Sequence, residues 1–369
     1  MRKVSKNKFE LFKFIIFLIP FFILLFLIHN SIENKKVYIE SEKNITYNIK
    51  KGDKIETAVG ENKKSSDFYL KLDNVLGEDQ ITHPKVISFK KKWNGYKYWM
   101  AYTPYPYAEQ AHENPHVMVS NDLVTWYTKK YFKNPLDSVD EKTALKIYNS
   151  DTHLLYNPDT DRIECYWRYV DDIKGEVIIY KRTTRDGIKW TEKEEFLKAK
   201  RKQTDYLSPV VMYENKKYLV WYVDRDKTVK YIEYDKNEKK WTTPRLIDIK
   251  YDSPLLSWHL DVIKTKKGFE AILAAFDSWQ NRGKMKLYYT NSEDNINWTK
   301  AEEILSSKDG GMYRSSILNL NDTYYVFYSE ITKDNKRGVG MVYGTSIRNL
   351  NGIKFKNVEK FKEYVRKNG

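Results

Sequence analysis

One cysteine, Cys165, stands among 369 residues, so no intramolecular disulfide framework holds this chain together. The one pair of adjacent glycines, Gly310-Gly311, lacks the strand-to-helix setting of a phosphate-cradling loop, which removes the usual signal for a nucleotide site. The lysines are scattered and no nucleic-acid signature occurs, so no nucleic-acid partner is expected. Tight metal-ligand spacing is absent as well. No catalytic metal and no cofactor are expected, with a structural Ca2+ left open by the acids and histidines. Long apolar runs are missing apart from one near the start.

That run, 14–28, is uncharged and follows five cations, an arrangement that places the N-terminus in the cytoplasm and the rest outside. With Leu11 and Phe12 added and Lys13 snorkelling, it approaches the ~17 residues that a tilted span needs. The residues after it offer neither a small-x-small cleavage site nor a lipobox cysteine. The expected organisation is a basic cytoplasmic segment at 1–10, an uncleaved transmembrane signal-anchor at 11–29, and a polar stalk merging into a folded edge at 30–77. Weak strand signals lie at 36–40 and 68–72. The protein is expected at the cell membrane, single-pass, with its bulk on the extracellular side.

What is abundant is aromatic. Thirty tyrosines and ten tryptophans within a 41% hydrophobic composition point to sheets rather than disorder. Net charge is +15, of which the segment before residue 30 supplies +4 (five Lys/Arg against Glu10), leaving +11 outside. Such a surplus is compatible with anionic glycans, wall polymers or lipid head groups, but the scatter of the lysines favours a solvated surface.

Residues 83–126 set the plan. A short apolar strand turns at Asn94-Gly95, the pair that tolerates the positive φ of a tight hairpin, and returns as an aromatic strand. A loop rich in Pro, Tyr and Glu leads to a third strand, which ends in Asn-Asp-Leu-Val-Thr-Trp126. Four later segments repeat this plan. Start to start, His83, Asp151, Ser208, His259 and Arg314 lie 68, 57, 51 and 55 residues apart. Four short strands per period of about 50 residues predict an all-β, five-bladed β-propeller of four-stranded antiparallel blades over 78–350. The tail, 351–369, carries Val358, Phe361 and Val365 at helical spacing and predicts a short helix packed outside the propeller. Three turns place an acid four residues before an indole: Asp122 and Trp126, Asp186 and Trp190, Asp294 and Trp298. The carboxylates suit the turn amides and the indoles suit the seams between sheets.

In such a blade the loop entering the inner strand and the loop joining strands two and three emerge at one end, so ten loops surround one mouth. Those loops carry the candidate residues. Asp151, Glu113, Asp205 and Asp261 are the candidate acids and bases, since carboxylates with divergent pKa values can divide the two roles. Candidates for holding substrate are His83, His153, Trp258, His259, Arg314, Tyr105, Trp279 and Glu330: aromatic faces for sugar rings, Arg and His for hydroxyls or carboxylates. An internal His259–Asp261 hydrogen bond and a salt bridge from Arg314 to Asp151 or Asp261 stand as structural alternatives.

The unit plan, the Ser/Thr-x-Asp-x-x-x-Trp turns at 120–126 and 184–190, and the inner-strand starts resemble the five-bladed propeller glycosidases around glycoside hydrolase families 43, 32 and 117. The resemblance covers about 78–350. It implies a base at the first inner strand, a pKa modulator at the second and an acid at the third. Asp151 matches the second position. His83 before Pro84 replaces the first, and Tyr206-Leu207-Ser208 before Pro209 replaces the third, with Asp205 the nearest acid. Either the chemistry is rebuilt, with Glu113 or Asp205 as proton donor and Asp151 or Asp261 as base, or the propeller binds glycan without cutting it. The expected function is glycosidase action on a cell-envelope or exogenous polysaccharide; the alternative is a silent glycan-binding or scaffold propeller in polysaccharide assembly or export.

Overall fold

The computed structural model describes residues 42–46, 63, 65, 80–129, 131–308, 310–332, 334–352 and 358–368. All but Glu42 and Lys43 belong to one unit, Asn44–Gly369. The expected anchor at 11–29 and the strand signals at 36–40 and 68–72 lie outside the described residues. Among those described, no helix is long and apolar enough to cross a membrane. A short strand, Glu42–Thr46, precedes the repeats.

Five antiparallel sheets follow one another along the chain, each starting from its innermost strand. The inner strands are Ile81–Trp93, Ile147–Asn157, Leu207–Glu214, Leu256–Thr265 and Gly311–Leu320. Each pairs with the next strand in sequence, so every blade is a meander built from local hairpins. Asn94 and Gly95 both take positive φ, 48° and 89°, which matches the twist that a two-residue hairpin must follow. The outermost strand of the third blade is broken into Lys240–Trp241 and Arg245–Ile247.

Two sets of contacts close the ring. One is apolar: five clusters of buried side chains occupy the five seams between neighbouring blades. Trp126 and Trp298 are buried in two seams and Trp190 packs against a third. The turn acids act as the sequence suggests. Asp122 Oδ1 accepts from the Val124 and Thr125 amides, Asp186 Oδ1 from Ile188 and Lys189, and Asp294 Oδ1 from Ile296 and Asn297. Val365 of the C-terminal helix, Val358–Asn368, is buried in the seam between the fifth and first blades.

The second set is polar and runs around the channel, stitching each inner strand to the next. The Val86 amide donates to Ser316 Oγ, the Ile317 amide to Asp261 Oδ2, the Leu260 amide to Ser208 Oγ, His153 Nε2 to the Val211 carbonyl, and Thr152 Oγ1 to the His83 carbonyl. Strands packed edge-on around an axis leave buried amides without ladder partners, and such groups cost ~1–3 kcal/mol each if orphaned. Side chains on the next blade satisfy them here.

All five inner strands share one irregularity. Register slips between Thr82 and Lys85, Ser150 and His153, Leu207 and Val210, Ser257 and His259, and Met312 and Ser315. A bulge leaves a residue off the ladder and turns its side chain away from the alternating pattern. In three blades the displaced residue has positive φ: His83 at 54°, Asp151 at 50° and Ser208 at 53°. Holding a non-glycine residue there costs ~1–3 kcal/mol, and such strain collects where a side chain must be aimed.

Candidate functional site

The bulges bring together residues that are far apart in sequence. His83, Asp151 and His259, from the first, second and fourth blades, present one donor atom each, all within 4.8 Å of one another. All three are buried. His83 Nε2 lies 3.6 Å from Asp151 Oδ1, and His259 Nδ1 lies 3.2 Å from the same oxygen. None of these atoms makes an aligned hydrogen bond: His83 Nε2, Asp151 Oδ1 and both ring nitrogens of His259 are without a partner.

Their other atoms are well held. His83 Nδ1 lies 2.9 Å from Thr103 Oγ1 and 3.1 Å from Glu113 Oε1. The His83 amide donates to Ser329 Oγ, and its carbonyl accepts from Thr152. Oxygens on the Nδ1 side can accept a ring proton there, the tautomer that would leave the Nε2 lone pair facing Asp151 and His259 as in a metal-ligating imidazole oriented by its neighbours. Asp151 Oδ2 accepts from Ser150 Oγ at 3.1 Å, which likewise leaves Oδ1 free. Behind the carboxylate stands Arg314. Its Nη2 donates to the Pro209 carbonyl, and its Nη1 is 3.6 Å from Asp151 Oδ1.

Burial keeps His83 and His259 neutral by pushing both imidazoles down. Burial works against ionisation of Asp151, but its neighbours, the permanently charged Arg314 among them, outweigh it and hold the carboxyl well below its usual range. Burial, and then the Asp151 charge, push Glu113 well above the ordinary carboxylate range. Two neutral imidazoles and one carboxylate, with bare lone pairs converging, are the donor set of a borderline divalent cation.

A cavity of about 410 Å3 opens beside the cluster. Tyr105, Glu113, Asp151, Trp258 and Tyr313 line it, together with Arg168, Arg201, Arg282 and Arg337. The Tyr313 ring centre lies 4.2 Å from that of His259, in an edge-to-face arrangement, and 5.2 Å from that of His83. Burial pushes its phenol well up, so the hydroxyl remains an O–H donor.

The sequence candidates therefore divide. His83, Asp151 and His259 meet; Glu113 abuts His83; Tyr105 and Trp258 line the cavity; Arg314 backs Asp151. Asp205 also lines the cavity, but its carboxylate is occupied by Arg168, Arg201 and Lys227. Four candidates are placed elsewhere. Asp261 is spent on Lys85 Nζ, at 2.6 and 2.8 Å, and on the Ile317 amide, so neither it nor the alternative His259–Asp261 hydrogen bond forms part of the cluster. His153 is a ring stitch through Val211. Glu330 is buried and accepts from Ser65 Oγ. Trp279 is 54% exposed and sets its edge against Trp258 rather than lining the cavity. The sequence reading passed over Thr103, Arg168, Arg282 and Arg337. The arginines start no inner strand; only the alternation of strand 162–171 would have put Arg168 on the face of Tyr166.

No family model matches the chain. A curated relative, the A type blood N-acetyl-alpha-D-galactosamine deacetylase of Flavonifractor plautii, is 26% identical over 322 residues, covering 71% of this chain and 41% of the relative. The chain thus spans about two fifths of that protein's length. Among solved structures, an N-acetylgalactosamine deacetylase from F. plautii in complex with blood group B trisaccharide matches with a TM-score of 0.65 at 22% identity, over 83% of this chain and 97% of that one. An exo-beta-1,3-galactanase from Phanerochaete chrysosporium matches with a TM-score of 0.54 at 10% identity, over 81% and 67% of the two chains. An exo-1,5-alpha-L-arabinanase from a bovine ruminal metagenomic library matches with 0.52 at 14% identity, over 72% and 92%. The chain is a five-bladed β-propeller with structural neighbours of the glycoside hydrolase family 43 type and a deacetylase homologue of the same fold.

Proposed function

We propose that this protein is a carbohydrate N-deacetylase that removes the acetyl group from an acetamido sugar of a glycan, with His83, Asp151 and His259 holding a divalent cation. One observation carries the reading: three buried ligand atoms, from three blades, converge within 4.8 Å with no aligned hydrogen bond among them. The deacetylase named among the relatives supports it. The expectation of no catalytic metal gives way to this proposal because the ligands come from three inner strands, His83 and Asp151 at bulges and His259 beside one, which spacing along the chain does not register.

Amide hydrolysis adds a water oxygen to the acetyl carbonyl, breaks the C–N bond, releases acetate and leaves an amine that takes up the water's proton. A bound cation would supply Lewis acidity and an activated water. The chain's own residues do the rest. Asp151, with Arg314 behind it, keeps negative charge at the centre. Tyr313 offers its O–H to the carbonyl oxygen as charge develops there. Glu113, raised by burial and lining the cavity, stands where a proton can be held and returned to the amine.

The glycosidase reading calls for two carboxylates facing a shared gap of ~5–10 Å. Glu113 and Asp151 are the nearest such pair, and the His83 ring stands between them, contacting both. That placement favours the deacetylase. Acetate release from N-acetylated oligosaccharides, lost with a chelator and restored by Zn2+ or Mn2+, is the expected result. New reducing ends without acetate would overturn it in favour of a glycosidase, and binding without either product in favour of a silent glycan-binding propeller. The cation-flanked run at 14–28 supports tethering at the cell surface, and recovery of the intact chain in washed membranes tests it.

A further inference from the structure

The cavity lining is strongly cationic, and part of that charge is uncompensated. Asp205 is shared by three cations: Arg168 Nη2 at 3.0 Å, Lys227 Nζ at 3.8 Å, and Arg201. Arg282 and Arg337, both lining the cavity, have no carboxylate within ion-pairing distance among the described residues. Aromatic rings support them instead. The Arg337 guanidinium lies 5.2 Å from the Tyr105 ring centre and the Arg282 guanidinium 5.3 Å from that of Trp258, which also carries Lys227 at 4.6 Å. Contact between guanidinium and ring leaves in-plane N–H groups for a planar, bidentate acceptor. Arg282 is exposed; Arg337 is buried, its Nη1 donates to the Asn335 carbonyl and Oδ1, and its Nε has no hydrogen-bond partner. A buried cation without a counter-charge is expensive, and a bound anion relieves that cost. Trp258, expected as a platform for a sugar ring, serves here as a base for cations.

We propose that Arg282 and Arg337, with Lys227 beside them, select a glycan bearing an anionic group, carboxylate or phosphate ester, on the sugar next to the one whose acetamide faces His83, Asp151 and His259. This rests on the deacetylase reading for its chemistry but not for its binding. Crowding of positive charge supports it independently of any one contact: burial, followed by repulsion from Arg168, Arg201 and Arg225, pushes Lys227 down to about 8.

The test uses the full chain and three matched N-acetylated oligosaccharides, one neutral, one with a uronic acid and one with a phosphate ester at the adjoining sugar. Affinity is measured by calorimetry in the presence of chelator, and acetate release with divalent cation added. One anionic oligosaccharide is expected to bind at least about tenfold more tightly than the neutral one, with the gap narrowing as salt screens the charges. Whichever of the two does so identifies the anion. Arg282→Gln and Arg337→Gln should each shrink the gap. Arg337→Lys, which keeps the charge and loses the fork, should restore it in part, and with Arg282→Gln carries the test if Arg337→Gln does not fold. Equal affinity for all three compounds, no binding by either anionic one, or a gap that survives both substitutions would overturn the proposal. Acetate release without anion preference would leave the deacetylase standing and remove this inference; anion preference without acetate release would do the reverse.

Discussion

Two polar clusters sit on the same inner strands, a few residues apart, and they are finished differently. In one, Lys85 meets both oxygens of Asp261, and Asp261 also takes the Ile317 amide. In the other, two residues earlier along the same two strands, His83 and His259 face Asp151 with three donor atoms unspent. Burial is nearly equal, and each cluster is built around one aspartate. The difference is satisfaction. A cluster whose hydrogen-bonding capacity is used up within the protein ties the ring together, whereas one left open has capacity for something from outside.

The sharpest way to break this contrast is to remove one carboxylate charge from each cluster. Asp151→Asn should lower acetate release by more than about 100-fold, since partners one shell further from a metal are already worth ~10–100-fold. Its stability cost should be smaller than that of Asp261→Asn, because Arg314 Nη1 stands 3.6 Å from the Asp151 carboxylate whereas Lys85 Nζ stands 2.6 Å from that of Asp261. Asp261→Asn, or Lys85→Met, should do the opposite, costing ~3–5 kcal/mol by leaving an unpaired buried charge. The double change Lys85→Met with Asp261→Leu should recover much of that loss. Urea denaturation and an acetate assay on the same preparations read both outcomes. Equal destabilisation by Asp151→Asn and Asp261→Asn would erase the distinction.

A smaller effect sharpens it. Thr103→Val removes an oxygen beside His83 Nδ1 without touching the converging atoms, and should weaken divalent-cation affinity by ~10–100-fold while the fold stands. Titration with Zn2+ against a chromophoric chelator measures this.

Acid gives the mildest separation. His116, away from both clusters, is lowered to about 4, chiefly by burial. Its folded pKa lies below its unfolded value near 6.5, so the unfolded chain binds the proton first. Stability is complete above 6.5 and is lost as pH falls toward 4, by about 2 kcal/mol between pH 7 and pH 5. Because His116 lies outside the open cluster, added divalent cation should not remove this loss. Denaturation midpoints of the parent and of His116→Gln at the two pH values, with and without Zn2+, separate this share from that of His83, His153 and His259, which burial also lowers.

How much of this was legible beforehand follows the range of the interactions involved. The hairpin at Asn94-Gly95, the turn carboxylates Asp122, Asp186 and Asp294, and the recurring inner strands are products of local geometry, and residues two to five apart report them. The inner-strand starts were readable as a group for the same reason, which is how His83, Asp151, His259 and Arg314 were singled out. Their division of labour was not. Asp261 reads in sequence as well as Asp151, and its fate depends on Lys85, 176 residues away. Arg282 and Arg337 gave no sign at all, because a pocket wall is assembled from loops with no shared period.

Sequence alone determined a ring of five four-stranded sheets, since hydrophobic alternation, turn chemistry and repeat length act over short stretches and repeat. Tertiary structure alone decided which buried polar atoms are used up and which remain free. That outcome depends on bulges that re-aim side chains and on contacts between blades, where lone pairs and protons from distant parts of the chain either find each other or do not.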